Sequence, residues 1–67
     1  MIEILINGEK NNFENTISIS ELIVMKNLEN LSVAVALNSE IVNKKDFKVT
    51  FIKNGDKLDI VKPVGGG

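Results

Sequence analysis

Histidine and cysteine are both absent from this 67-residue chain. Without them there is no Ser-His-Asp triad, no thiol nucleophile and no transition-metal site of the usual kind. What remains is nine carboxylates and eight lysines. The acids are scattered along the chain. The nearest approach to a working pair, Asp56 and Asp59, would need burial in a cleft to split its two pKa values for acid and base roles. A chain of this length has little volume for a core and a cleft together, so the acids read as solvated surface. The lysines are interspersed with the acids, the net charge is −1, and aromatic residues make up only 4%. That balance offers neither the basic stripe nor the stacking platform of a nucleic-acid or anionic-membrane partner. No G-x-x-x-x-G-K-S/T sequence occurs, so Asn7-Gly8 and Asn54-Gly55 read as turns, not phosphate loops. The two serines near the expected helix start read as caps, not nucleophiles.

One group stands apart from this surface, the carboxylate at the end of Lys62-Pro63-Val64-Gly65-Gly66-Gly67. A carboxylate that must enter another protein's active site is best carried on a narrow, flexible segment with no Cβ to clash. Glycine meets each need. Gly67 is the candidate for chemistry, and Gly65 and Gly66 are the candidates for threading it into a partner. A frayed end or a cloning remnant has the same composition, and the three glycines alone do not separate these readings.

The elements that must position this tail are legible as patterns. Ile2, Ile4 and Ile6 alternate on one face of an opening strand, with Leu5 on the other. Asn7-Gly8 is a strong hairpin signal, since both residues tolerate positive φ. A polar return strand with Phe13 as its apolar member is expected at about Asn12–Glu14. Ser18 and Glu21 have capping-box spacing, and Ile19, Leu22 and Ile23 repeat at helical intervals behind them. The stripe should fray between Asn27 and Asn30, with Leu28 and Leu31 closing the core. Residues 32–37 alternate large (Val33, Val35, Leu37) and small (Ala34, Ala36) as a strand does. A turn at 38–40, a short Ile41-Val42 pair, a polar loop at 43–46, a plug at Phe47 and a short strand or bridge at 49–52 follow. Asn54-Gly55-Asp56 is a second tight turn. Leu58-Asp59-Ile60-Val61 is the last strand, its pairing ended by Pro63, which has no N–H to give. A hairpin followed by one helix buries the helix against one sheet face, and the crossover is expected to bring the next strand in parallel to the first. The fold class is therefore α+β, one mixed sheet packed on one main helix. The domain runs over residues 1–64, with 65–67 a flexible glycine tail.

Hydrophobic residues make up 43% of the chain, enough for an ordinary apolar core. No run of ~20 apolar residues occurs to span a bilayer. The opening residues lack the basic-then-apolar layout of a signal peptide, and the missing cysteines fit a reducing compartment. The expected location is the cytoplasm.

These patterns together resemble the ThiS family of small β-grasp (ubiquitin-like) sulfur carriers of thiamine biosynthesis. The resemblance runs over essentially the whole chain. It includes the strand into Asn7-Gly8, Ser18-Ile19-x-Glu21-Leu22-Ile23, Val33-Ala34-Val35-Ala36-Leu37-Asn38, Ile41-Val42, Asn54-Gly55-Asp56-x-Leu58-x-Ile60-Val61 and the terminal glycines. Where the family often has Pro-Arg after the Ile-Val pair, this chain has Asn43-Lys44, and Phe47 stands where an aromatic residue is usual. The resemblance implies a β-grasp fold and a carrier with no turnover of its own. A ThiF-like adenylyltransferase would adenylate the Gly67 carboxylate. A sulfur donor, a cysteine desulfurase or similar persulfide source, would convert it to a thiocarboxylate. A ThiG-like thiazole synthase would take the sulfur. Mg-ATP belongs to the partner, so no cofactor is assigned to this chain. In such a fold the first and last strands are neighbours, and Leu5 and Val61, with Pro63 and Val64 beyond, are expected to form an apolar docking patch on the open sheet face. A MoaD-like carrier for molybdopterin, or a ubiquitin-related modifier, would use the same Gly-Gly end. A TGS-like β-grasp binding module would need a basic face and no special terminus.

Overall fold

In the computed structural model, which describes residues 1–62, the isoleucine alternation becomes strand β1 (Ile2–Ile6), with Ile4 and Ile6 buried. Asn7 and Gly8 take φ of 52° and 84°, left-handed values that suit a two-residue hairpin turn. Glu9 therefore already stands opposite Ile6, and β2 (Glu9–Phe13) pairs antiparallel through to Ile2 opposite Phe13. The return strand starts three residues earlier than the expected Asn12, because its polar first residues need only backbone pairing to belong to it.

A two-residue strand, β3 (Ile17–Ser18), leads straight into helix α1 (Ile19–Met25). The capping box forms as its spacing predicts. The Glu21 backbone N–H donates to Ser18 Oγ at 3.1 Å, and the Ser18 N–H donates to Glu21 Oε1 at 3.1 Å. Ile19, Leu22 and Ile23 are buried on one side. The helix makes a sharp stop just before Asn27, where the apolar stripe was expected to fray. Asn27 has φ of 60°, its N–H donates to the Val24 carbonyl, and the Leu28 N–H donates to the Ile23 carbonyl at 2.9 Å. This is a Schellman motif, with asparagine in the position usually taken by glycine. It turns Leu28 into the core at 7% exposure but leaves Leu31 42% exposed, so only Leu28 closes the core as expected.

Strand β4 (Ala34–Leu37) turns through Asn38 and Ser39, with φ of 51° and 74°, into β5 (Glu40–Val42). A 3₁₀ turn, Lys44–Asp46, then presents Phe47, which is buried as the expected plug. Strand β6 (Phe51–Ile52) falls within the short strand or bridge expected at 49–52 and pairs with β3 as a small separate sheet; β3 was not expected, because Ile17–Ser18 is too short to show a period. Strand β7 (Lys57–Val61) enters the main sheet last and occupies its middle, in the order β2-β1-β7-β4-β5.

The main sheet is mixed, and α1 covers one face, as expected for the α+β class. The connectivity differs in one respect. The strand after the helix, β4, does not lie parallel beside β1. The parallel neighbour of β1 is β7, and β4 runs antiparallel to β7 on its far side. A seven-residue helix is only about 10 Å long. The chain between it and β4 runs through residues 26–33, and the parallel partner of β1 arrives only when β7 fills the gap. Ile4, Ile19, Leu22, Val35, Ile52 and Leu58 form the fully buried centre.

Ser18 is the single buried polar residue among those described, at 4% exposure. Replacing it by alanine removes the cap and should cost about 1 kcal/mol. Urea unfolding should show a lower midpoint at unchanged slope.

Candidate functional site

Strand β7 is the last described element before the terminal glycines in the sequence. Leu58 and Ile60 are 1% and 7% exposed and anchor it to the core, while Lys57, Asp59 and Val61 face outward. The turn before it is tied on both sides. The Gly55 N–H donates to the Glu3 carbonyl at 2.8 Å, and the Glu3 N–H donates to Asn54 Oδ1 at 2.8 Å. The Asp56 carboxylate accepts from the Lys53 N–H at 2.7 Å and from Asn38 Nδ2 at 3.1 Å. Asn38 Oδ1 in turn accepts from the Lys57 N–H at 3.0 Å. Farther along, Asn7 Oδ1 accepts from the Ile60 N–H at 2.8 Å and Asn7 Nδ2 donates to the Ile60 carbonyl at 3.2 Å. Neither asparagine was singled out as a site residue from sequence. Their left-handed turn positions were legible; the reach of their side chains to β7 was not.

Leu5 and Val61 both face away from the helix, but the fold does not bring them together. Leu5 stands opposite Lys57 in the parallel ladder. Val61 is four residues farther along β7, about 13 Å at 3.3 Å per residue. Leu5 borders a hollow with Glu3, Lys10, Asn54 and Gly55. Val61 is 61% exposed and pairs with Ala34; Ala36 next to it pairs with Ile41, which is 75% exposed. The apolar outer surface around the end of β7 is thus Val61, Ala34, Ala36 and Ile41. The small face of β4 was visible in the sequence, but its register against Ile41 was not. Pro63, Val64, Gly65, Gly66 and Gly67 lie outside the described residues.

Asp56 is engaged in its turn, and Asp59 faces solvent on β7. Among the described residues, no group of three or more Asp or Glu side chains is placed to hold a metal ion, and no helix is long and apolar enough to cross a membrane.

Comparison with known proteins fits this architecture. The sequence profile of the ThiS family matches residues 4–67. The chain belongs to the ThiS family. Among solved structures, the thiamine biosynthesis protein ThiS of Geobacter metallireducens is similar at a TM-score of 0.83 and 25% identity, covering 98% of this chain and 100% of that one. The β-grasp architecture is shared with it. Among sequences, the ThiS-family chain is 36% identical over 66 residues to a thiazole synthase of Paramagnetospirillum magneticum. The alignment takes in 98% of this chain but only 20% of that protein, so the chain spans about one fifth of that relative's length. It is also 36% identical over 62 residues to the uncharacterised protein ycf40 of Trieres chinensis, covering 92% of this chain and 85% of that protein.

The two bonds accepted by Asp56 make the turn before β7 a measurable unit. Asp56→Ala should lower unfolding free energy by about 1 kcal/mol. Amide exchange should speed up first at Lys53 and at the β4–β5 turn, with the helix unchanged.

Proposed function

We propose that this chain is a sulfur carrier whose working group is the carboxylate of Gly67. Support comes chiefly from the ThiS-family match running through residue 67, in a chain with no histidine or cysteine to do chemistry of its own. On this reading residues 1–64 form a body that docks and aims, residues 65–67 are the tail that threads, and the chain turns over nothing by itself. The similarity to a thiazole synthase supports a place in thiazole formation for thiamine.

The chemistry follows from leaving groups. A carboxylate is a poor acyl donor because oxide is a poor leaving group. A ThiF-like adenylyltransferase would hold Mg-ATP so that a Gly67 oxygen attacks the α-phosphorus and pyrophosphate departs. A sulfur nucleophile then attacks the acyl carbon and AMP departs. With hydrosulfide the product is the thiocarboxylate directly. With a persulfide from a cysteine desulfurase, a thiol supplies the two electrons that split the acyl disulfide. A ThiG-like synthase accepts the sulfur. Glycine suits this traffic, because a residue without Cβ passes through a channel that any other would block.

The docking surface proposed for the adenylyltransferase is the outer sheet face around Val61, with Ala34, Ala36 and Ile41, continuing to Pro63 and Val64. Leu5 would lie at its far margin. Exposed apolar groups clustered beside a reactive tail are of the kind that marks an interaction site. Val61→Asp places a charge in this surface while leaving the core untouched. It should raise the KM for activation about tenfold or more, a loss typical of an interface anchor, with thermal unfolding nearly unchanged. Normal activation of this variant would remove Val61 from the interface.

The chemistry is tested by incubating the chain with a ThiF-type enzyme, Mg-ATP and sulfide, and weighing it intact. A gain of about 16 mass units, oxygen replaced by sulfur, is expected for the chain ending in Gly67 and absent when Gly67 is deleted. An unchanged mass, with an enzyme active on another carrier, would contradict the proposal.

A further inference from the structure

Asn7 does more than make a hairpin turn. Strand β1 pairs with β7 only at Leu5–Lys57 and Ile6–Leu58, with the Asn7 N–H adding a bond to the Leu58 carbonyl at 2.9 Å. Beyond that point β1 has left the sheet, because the chain reverses at Asn7-Gly8. In a parallel ladder the next rungs would come from the backbone of residues 7 and 9. The Asn7 side-chain amide supplies both instead, accepting from the Ile60 N–H and donating to the Ile60 carbonyl. Only one orientation of the amide satisfies both groups, since one end accepts and the other donates. The amide acts as one further residue of β1 laid against β7.

After Ile60 that side of β7 has no partner from β1. Among the described residues, Val61 is paired on the other side alone, with Ala34 of β4. Among the described residues, Asn7 is thus the last tie on its side of β7. It sits in a surface depression bounded by Ile6, Glu9, Lys26, Ile60 and Lys62. We propose that Asn7 is a positioning residue: its amide fixes the direction in which β7 releases the tail, and so sets the rate at which the Gly67 carboxylate reaches the activating enzyme's nucleotide. This rests on the carrier function proposed above. The body docks through its outer face whether or not Asn7 is present. Loss of the clamp therefore acts on the fraction of docked molecules whose tail is correctly aimed, and misplacement of a reacting group lowers rate steeply.

The molecule carries its own control. Asn38 has nearly the same backbone angle, φ of 51° against 52° for Asn7. It too clamps β7 through its side chain, but at Lys57, the opposite end. Asn7→Gly and Asn38→Gly each keep a turn residue that accepts positive φ and each delete one clamp. With Asn7→Gly, backbone amide relaxation should show the ordered part of β7 ending before Ile60, where in the unaltered chain it includes Val61. Adenylation kcat should fall about tenfold with KM within about twofold. Asn38→Gly should leave both the order at Ile60–Val61 and kcat unchanged, even if it destabilises the fold as much. Equal kcat in the unaltered chain and Asn7→Gly would overturn this inference alone, as would unchanged order at Ile60–Val61, or an equal loss of kcat in both variants. An unaltered chain that the enzyme does not adenylate would overturn the carrier function, and this inference with it.

Discussion

The middle position of β7 in the sheet is the constraint on which the rest depends. A strand between two neighbours has its backbone bonded on both sides, so its direction is set by the whole sheet. Here one neighbour, β1, comes from the beginning of the chain and the other, β4, follows the helix. The strand that arrives last locks both. Its inward residues, Leu58 and Ile60, fill the space between the helix and the sheet. Its turn and its far end are tied by two asparagine side chains from two separate hairpins. A carrier needs this arrangement. The group it presents must be free, while the place from which that group departs must be fixed.

This division of labour explains why the body is chemically plain. Its acids and lysines are interspersed and leave a net charge of −1. Its core is assembled from aliphatic residues and Phe47, with no cysteine in the chain to form a disulfide. Small domains of about this size can fold on such a core when local signals agree with the global fold. Those signals are dense here: a capping box at one helix end, a Schellman motif at the other, and two-residue turns with left-handed backbone in both hairpins.

Much of this was legible in the sequence because it is local. The isoleucine alternation of β1, the Ser18–Glu21 box and the Leu58–Ile60 spacing each report their element within a few residues. What was not legible is what depends on distant pairing. Ile17–Ser18 is too short to carry a period, and it becomes a strand only because it meets Phe51–Ile52, which lies in the short strand or bridge expected at 49–52. The placement of β4 antiparallel to β7 cannot be inferred from its own alternation, which is the same in either direction. Leu5 and Val61 were correctly placed on one face, but their separation along it depends on the register of Leu5 with Lys57. Ile41 was seen only as half of an apolar pair, yet its pairing with Ala36 brings it to the outer face of the sheet. The roles of Asn7 and Asn38 were hidden for the same reason: turn chemistry specifies the backbone, and tertiary packing decides what the side chain then reaches.

The most direct measurement is ATP–pyrophosphate exchange by a ThiF-type enzyme, which reads carboxylate adenylation with no sulfur donor present. The chain ending in the Gly67 carboxylate should stimulate exchange, and the same chain synthesised with a Gly67 carboxamide should bind but not stimulate it. Equal exchange with both forms would place the adenylated group elsewhere and contradict the assignment of Gly67.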